Sequence, residues 1–505
     1  MATRRLSTYT LAGVLALGGV WLLSHSFAVG GRDYSELAHP NLPHANLPQA
    51  ELSKATTSSG PSEASVTPAA PSIPIRRKNV TFASSFVYHG DVYMALAKSM
   101  GDVMDQEGAH GQIHVFAQPF PFGFQEVVED LQLWKHQGVR ANHESFIDFL
   151  NSETGDGGVD LIIFGTCQYD LPYWHDALQD AWERRDAGHK FKIVCYVHNA
   201  KDMDWRRWVP YWSRRHAIRF IAIGNHVAEA FVDMFAEAAD SHDPLLYTAD
   251  FEHIPVDVHI PVLRIPSLPV KESPRNLIKA VIQGKFEMER RDYARIFQEL
   301  ISSLHEDPAA WGYLPLEGRT AFEPRHDSPV PPFQLLLVGS QYLGVPTELE
   351  HIVLIHRDLP YKEFYDLIAD SDIVLPAFAD NSYYEFRASS TVAIATELNI
   401  PMLVTNRTRR TYGFIDDDRV VVTRPAAMSE VQALKALRTG DASAFLASDP
   451  ADIGLSMGEM PAVREGVEKM MRGGWVKSNS DWEQWRASLW EKNNEVAGRI
   501  LRDIS

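Results

Sequence analysis

The chain has 505 residues and a formal net charge of -18, with 45% hydrophobic and 23% charged residues. This length exceeds what one hydrophobic core usually organises, so two domains and a tail are expected. The composition excludes a polytopic membrane protein and a disordered chain, and the negative charge disfavours nucleic-acid binding. Cys167 and Cys195, the only cysteines, follow or lie in buried-strand patterns, which suits either two inert thiols or one disulfide.

The N-terminus predicts a membrane anchor. Arg4 and Arg5 precede an apolar stretch over residues 9–29, which is long enough to span a bilayer as a helix and predicts that residues 1–8 are cytoplasmic. The Pro- and Ser-rich residues 30–78 indicate an extended stem. This order predicts a single-pass type II protein of the Golgi or ER membrane with a lumenal globular part. A cleaved signal peptide followed by secretion is the alternative.

Two Asn-X-Thr triplets could accept an N-linked glycan in the lumen, one at Asn79 and one at Asn406. The second lies close to a predicted strand end. We therefore expect the glycan on Asn79, at the junction of stem and globular part.

Apolar runs alternate with helical patterns from Val80 onward, and the alternation restarts after residue 271. Continuous apolar strands separated by helices predict parallel sheets covered on both faces. The predicted strands are Val80–Phe86, Ile113–Ala117, Asp160–Phe164, Lys192–Val197, Ile218–Ile223, Lys279–Gln283, Phe333–Val338, Ile352–Ile355, Ile373–Pro376 and Met402–Thr405. The predicted helices are Asp91–Gln106, His175–Ala187, His226–Ala238, Arg291–Leu304, Tyr361–Ala369 and Ser390–Leu398, with an irregular insertion over 306–332.

The fold class is therefore α/β, with two doubly wound Rossmann-like domains. We place the N-terminal domain at 79–270, the C-terminal domain at 271–480 and a C-terminal helix, crossing back onto the first domain, at 481–505. Two such units imply a cleft where ligands approach the carboxyl ends of the strands.

Gly284 and Lys285 directly follow an apolar strand, and Arg290 comes five residues later. This spacing resembles the C-terminal domain of retaining GT-B glycosyltransferases, where a basic pair grips the diphosphate of a nucleotide-sugar donor. A diphosphate needs cations on both sides, and arginine can bind two oxygens at once. The alternative is that these residues, with Arg291, only decorate a solvated helix start.

A second motif is the run 383–391, followed by a helix and Pro401. Free amides and the positive dipole end of a helix N-terminus favour an anion, although hydroxyl residues there can also be ordinary caps. The resemblance places donor phosphates on three residues at this helix start: Ser389, Ser390 and Thr391. It assigns donor sugar or base contacts to six residues: His198, Gly339, Arg357, Leu359, Glu385 and Arg387.

One position departs from the family. Retaining enzymes have a glutamate seven residues before the proline that matches Pro401, and this chain has Ile394 there. Glu385 and Glu397 are out of register, so the stereochemistry stays open. A non-catalytic member that binds a sugar or a partner protein is an alternative, and so is an epimerase acting on the nucleotide sugar.

In the first domain, His89 and Asp91 follow the first strand. A histidine with a nearby carboxylate can deprotonate an acceptor hydroxyl at neutral pH, so the pair is the predicted catalytic base. Asp91 could instead simply cap the following helix. The resemblance implies a glycosyltransferase that uses a nucleotide-sugar co-substrate and an unidentified acceptor. No motif demands a metal or another cofactor.

Overall fold

The computed structural model describes residues 78–202, 204–271, 275–316, 321–327 and 330–503. The predicted cytoplasmic tail (1–8), anchor (9–29) and stem up to residue 77 lie outside these ranges. Within them, no helix combines the length and the apolarity that a bilayer span requires.

The first domain is a seven-stranded parallel sheet with helices around it, and its strand order is β3-β2-β1-β4-β5-β6-β7. The strands are β1 Lys78–Ser84, β2 Gly111–Ala117, β3 Gln137–Ala141, β4 Leu161–Phe164, β5 Lys192–Val197, β6 Ile218–Ala222 and β7 Val256–Val258. The helices are α1 Gly90–Glu107, α2 Phe124–Asp130, α3 Phe146–Ser152, α4 Cys167–Arg184, α5 Trp205–Trp208, α6 Pro210–Ser213, α7 Asn225–Ala239 and α8 Pro244–Tyr247.

The second domain is a six-stranded parallel sheet of order β12-β11-β8-β13-β14-β15, with a separate hairpin of β9 and β10. The strands are β8 Lys279–Lys285, β9 Tyr313–Pro315, β10 Phe322–Pro324, β11 Gln334–Ser340, β12 Val353–Arg357, β13 Ile373–Val374, β14 Met402–Val404 and β15 Val421–Thr423. The helices are α9 Tyr293–Glu306, α10 Pro308–Trp311, α11 Tyr361–Ala369, α12 Ser382–Glu385, α13 Ser390–Glu397, α14 Asn406–Thr411, α15 Glu430–Thr439, α16 Ser443–Ala447, α17 Pro461–Gly473 and α18 Asn479–Arg502.

Both sheets wind in the same way. In each, the first strand in the chain lies centrally, the next two lie on one side of it and the rest lie on the other. This is the Rossmann order, and ligands of such sheets bind where the strand order reverses. The reversal falls between β1 and β4 in one domain and between β8 and β13 in the other. The prediction of two Rossmann-like domains is confirmed.

One continuous hydrophobic cluster joins the first sheet to the near face of the second and to α18, while a second cluster lies within the C-terminal domain. Helix α18 packs against α1 of the first domain. Its Asn493 side chain accepts from the Ile260 amide at 3.1 Å and donates to the Ile260 carbonyl at 2.7 Å. The shared core holds the two sheets in a fixed relation.

Some elements differ from the prediction. Strands β3, β7 and β15 were not predicted, because β3 is a half-exposed edge strand and the other two have three residues each. Helix α4 begins at Cys167 and not at His175. Residues 306–332 hold α10 and the β9–β10 hairpin where an irregular insertion was expected.

Cys167 and Cys195 form a disulfide that links the start of α4 to β5. The structure thus selects one of the two states that the sequence left open. Both residues are fully buried.

Asn79 is buried within β1, and its Nδ2 donates to the carbonyls of Gly157 and Gly158 at 2.6 and 3.2 Å. A glycan on that nitrogen would break these bonds and has no room in the folded domain. The prediction that Asn79 carries a glycan is therefore wrong. Asn406, at the start of α14, is exposed.

Candidate active site in the interdomain cleft

A cleft of about 780 Å³ opens at the carboxyl ends of strands from both sheets, over both points where the strand order reverses. It brings together most of the predicted site residues: His89, Asp91, His198, Gly284, Lys285, Arg290, Gly339, Leu359, Arg387, Ser389 and Ser390. Thr391 lies buried behind Ser389, while Arg357 and Glu385 are exposed residues that do not line the cleft.

Two glycines let β8 and β11, neighbours in the second sheet, approach closely at the cleft floor. Gly284 has a φ of 131°, a backbone angle that residues with a side chain rarely adopt. A Cβ on Gly339 would lie 1.7 Å from the Gly284 carbonyl oxygen. Only glycine fits at Gly339. The backbone is thereby left open to a ligand at this floor.

Lys285 is the last residue of β8, and Arg290 lies in the loop between β8 and α9; both line the cleft. Each forms an ion pair with the same carboxylate, Glu287, through a different oxygen. The two cations have side chains that are 41% exposed. They lie close together, as the spacing predicted, but an internal anion currently holds them.

Arg291 is the residue that sequence reasoning underrated. It is only 4% exposed and lines the cleft, and none of the ion pairs among the described residues includes it. Its guanidinium donates to the hydroxyls of Ser389 and Thr391 at 3.1 and 3.0 Å and to the Gln283 carbonyl at 3.4 Å. A buried cation with neutral partners alone is costly unless an anion completes the site.

Helix α13 begins directly beside Arg291. Ser389 is its N-cap and accepts from the Thr391 amide at 3.3 Å, while Ser390 is exposed to the cleft. The positive end of the helix dipole and the neighbouring guanidinium attract the same ligand, an anion such as phosphate. Ser389 is thus also an ordinary helix cap, as the sequence allowed. Capping alone does not explain why the buried Arg291 lies beside it.

Across the cleft, the first domain presents two stacked imidazoles. The rings of His89 and His198 have centroids 4.1 Å apart and an interplanar angle of 24°. Burial lowers the pKa of His89 to about 4, and burial together with His89 keeps the pKa of His198 well below its usual value. Both rings are therefore neutral at pH 7 and can accept a proton. The Nε2 atom of His198 is buried without a hydrogen-bond partner.

The structure does not join His89 to Asp91. His89 Nδ1 instead lies 3.3 Å from the Thr166 hydroxyl oxygen, in a hydrogen bond. Asp91 lies in the first turn of α1, whose N-cap is His89, so Asp91 does not cap that helix either. Burial raises its pKa to about 6. The predicted pairing of His89 with Asp91 is corrected to His89 with Thr166.

Asp170 holds the loops on which this pairing depends. It is fully buried, and its carboxylate accepts from the Ser85 amide at 2.7 Å, the Ser85 hydroxyl at 2.8 Å and the Thr166 amide at 2.8 Å. Burial raises its pKa to about 7. Asp170 thus fixes the ends of β1 and β4 next to the histidines.

Main-chain bonds connect the two halves of the site. The Ala388 amide donates to the His198 carbonyl at 3.0 Å, and the Ala200 amide donates to the Phe386 carbonyl at 2.9 Å. Asn199 and Arg387 form an antiparallel bridge between them. We call residues 198–200 and 386–388 the seam. It sets the start of α13 in register with His198.

Ile394 lines the cleft at the position where the resemblance implied a glutamate. The nearest acid of that helix, Glu397, is 3% exposed and accepts from the Leu263 amide at 2.9 Å, and it does not line the cleft. Among the residues that the structure describes, no group of three or more His, Cys, Asp or Glu side chains could hold a metal ion.

No family model matches the sequence, and no curated protein matches it. Similar solved structures include an alpha-glucosyltransferase (AGT) in complex with UDP, at 12% identity and a TM-score of 0.46, covering 82% of this chain and 99% of that one. The lipopolysaccharide outer core galactosyltransferase WaaB in its apo form has 12% identity, a TM-score of 0.39 and coverages of 81% and 99%. Arabidopsis thaliana UGT89C1 complexed with UDP-L-rhamnose has 11% identity and a TM-score of 0.37, covering 82% of this chain and 99% of that one. At these TM-scores, function has to be argued from the site itself.

Proposed function

We propose that the protein is a glycosyltransferase that moves a sugar from a nucleotide-sugar donor to an acceptor hydroxyl. The observation that carries this proposal is the buried Arg291 beside the start of α13, which forms no ion pair with any residue that the structure describes and faces a neutral histidine pair across one cleft. An anion site opposite a proton acceptor, with both over the reversal points of Rossmann-like sheets, fits transfer from a phosphate leaving group.

On the donor side, Arg291 and the α13 amides would bind one phosphate, with Lys285 and Arg290 at the other. As the bond between the anomeric carbon and the phosphate oxygen breaks, the electron pair stays on the diphosphate. These cations stabilise that charge where it develops. We propose that they do so without a metal and without another cofactor.

On the acceptor side, His89 would accept the proton of the attacking hydroxyl while the oxygen of that hydroxyl bonds to the anomeric carbon. The hydrogen bond to Thr166 fixes the orientation of the ring, and stacking on His198 holds its plane. A neutral imidazole is a competent general base at pH 7. The seam keeps this base at a constant distance from the bound donor.

We also propose that the protein works in the lumen of the secretory pathway, held there by residues 9–29. The apolar character of that segment supports this location. The disulfide between Cys167 and Cys195 supports it as well, because disulfides persist in oxidising compartments. The bond also ties α4 to β5, next to His198.

The experiment is nucleoside diphosphate binding to the purified full-length chain, measured by calorimetry with UDP, GDP and CDP. We expect one of them to bind, and Lys285→Ala and Arg290→Ala to weaken it. Lys362→Ala is the control, because this exposed lysine of α11 takes part in no ion pair among those described. If none of the three binds the folded chain, the proposed function is wrong.

A second candidate function is donor binding without transfer, and Ile394 favours it because a carboxylate is missing from the cleft at that point. The release of nucleoside diphosphate from the matching nucleotide sugar separates the two. Turnover that stops in His89→Ala supports the transferase. If the nucleotide sugar binds tightly but no nucleoside diphosphate is released, with either water or glycans as acceptors, the protein binds the donor without transfer.

A further inference from the structure

Glu287 occupies the space between the two exposed cations of the donor site. Its two carboxylate oxygens bind Lys285 Nζ and Arg290 Nε separately. Among the described residues, neither cation takes part in any other ion pair. The carboxylate is therefore positioned where a phosphate group would have to lie in order to reach both.

We propose that Glu287 is a displaceable counter-ion of the donor site, which weakens the binding of a second phosphate there and speeds the release of the product. This inference rests on the proposed function, because it concerns the same anion site. The cations are 41% exposed and Glu287 is 23% exposed. Ion pairs with such access to water are weak, so a ligand can open them.

The two halves of the site differ in what a ligand must displace. Within the described part of the chain, the hydrogen-bond partners of Arg291 are all neutral: Ser389, Thr391 and the carbonyls of Gln283 and Arg290. A single phosphate can therefore bind at Arg291 without breaking an ion pair. A second phosphate reaches Lys285 and Arg290 only by replacing Glu287, and its higher charge favours that exchange.

The same exchange acts in reverse after transfer. Glu287 is joined to the two cations through one short loop, so its effective concentration at the site is high. It competes with the product for Lys285 and Arg290 and shortens the time that the nucleoside diphosphate stays bound. The site is thus balanced between capture of the donor and loss of the product.

Glu287→Gln tests this role, with Glu289→Gln as the matched control. Glu289 lies in the same loop, carries the same charge, is exposed and has no ion pair among the described contacts. The probes are UDP, UMP and inorganic pyrophosphate, measured by calorimetry, with dissociation of UDP followed by stopped flow. We expect Glu287→Gln to bind UDP and pyrophosphate about three- to tenfold more tightly, as the loss of two weak ion pairs predicts.

UMP affinity should stay constant in both variants, and UDP should leave Glu287→Gln more slowly. Equal or weaker UDP binding in Glu287→Gln would show that the carboxylate organises the cations, and would overturn the proposal. An equal gain for UMP would show that Glu287 does not compete with the second phosphate, and would also overturn the proposal. If pyrophosphate tightens as expected while none of UDP, GDP and CDP binds, the counter-ion role stands and the proposed function fails. If neither anion binds either protein, both fail.

Discussion

Arg291→Met is the substitution that separates ligand binding from folding most clearly. Methionine keeps an unbranched apolar stem but removes the cation, whose side chain is 4% exposed. Two opposing changes follow for the folded state. The hydrogen bonds to Ser389 and Thr391 are lost, each worth about 1.5–3 kcal/mol for a charged donor. The desolvation penalty of a buried cation, several kcal/mol, disappears as well.

Because these terms offset each other, we expect the free energy of unfolding to change by less than about 2 kcal/mol. Binding has no such compensation. Removing one partner of a buried charge pair costs about 2–5 kcal/mol, which is roughly a thirtyfold loss of affinity or more. We therefore expect UDP, or whichever nucleoside diphosphate binds, to lose at least about thirtyfold in affinity for Arg291→Met.

Calorimetry measures the affinity, and urea unfolding measures the stability of the same preparations. Arg410→Met is the control, because Arg410 is exposed on α14 and takes part in no ion pair of the described residues. Unchanged nucleotide affinity in a folded Arg291→Met protein would refute the assignment of Arg291 to the donor site. A large loss of stability in Arg291→Met, with unchanged nucleotide affinity of the fraction that stays folded, would assign Arg291 to folding alone.

Three further outcomes are expected. His89→Ala should lower the rate of transfer by about 10²- to 10⁴-fold. It should leave nucleotide affinity unchanged, because the His89 ring stacks on His198 on the far side of the cleft from the donor site. Parallel losses of rate and affinity would contradict the role of His89 as the base. Gly339→Ala should abolish nucleotide binding and destabilise the fold, since its Cβ would lie 1.7 Å from the Gly284 oxygen, and a normal melting temperature would count against this. Burial raises the pKa of Glu397 to about 8, so the folded state retains a proton that the unfolded state releases. Stability should therefore fall by up to about 5 kcal/mol as pH rises from about 4.5 to above 8. Glu397→Gln should flatten this decline in urea unfolding at pH 5, 7 and 9, and an identical slope would refute the linkage.

The sequence predicts the central strands well, because fully buried strands are continuous apolar runs. β4, with the sequence Leu-Ile-Ile-Phe, is wholly buried, and so is β1. Helix α4 was predicted too short because Pro172 lies inside it and because one buried position of its first turn holds a polar residue, Asp170. Local periodicity thus detects the core face of an element but not its polar end.

Site residues divide along the same line. The loop that holds Lys285 and Arg290 could be recognised from local spacing. The burial of Arg291 could not, because its partners Ser389 and Thr391 are 98 and 100 residues away in the chain. Asn79 failed for a similar reason, since its partners lie near residue 157 in another loop.

The seam has a consequence for the history of the chain. Its bonds between residues 198–200 and 386–388 run from amide to carbonyl, so they depend on backbone shape and hardly on side-chain identity. Substitutions can accumulate in both loops while the two halves of the site keep their alignment. Any change in these loops that preserves the backbone shape would therefore still bring the same two strand ends face to face.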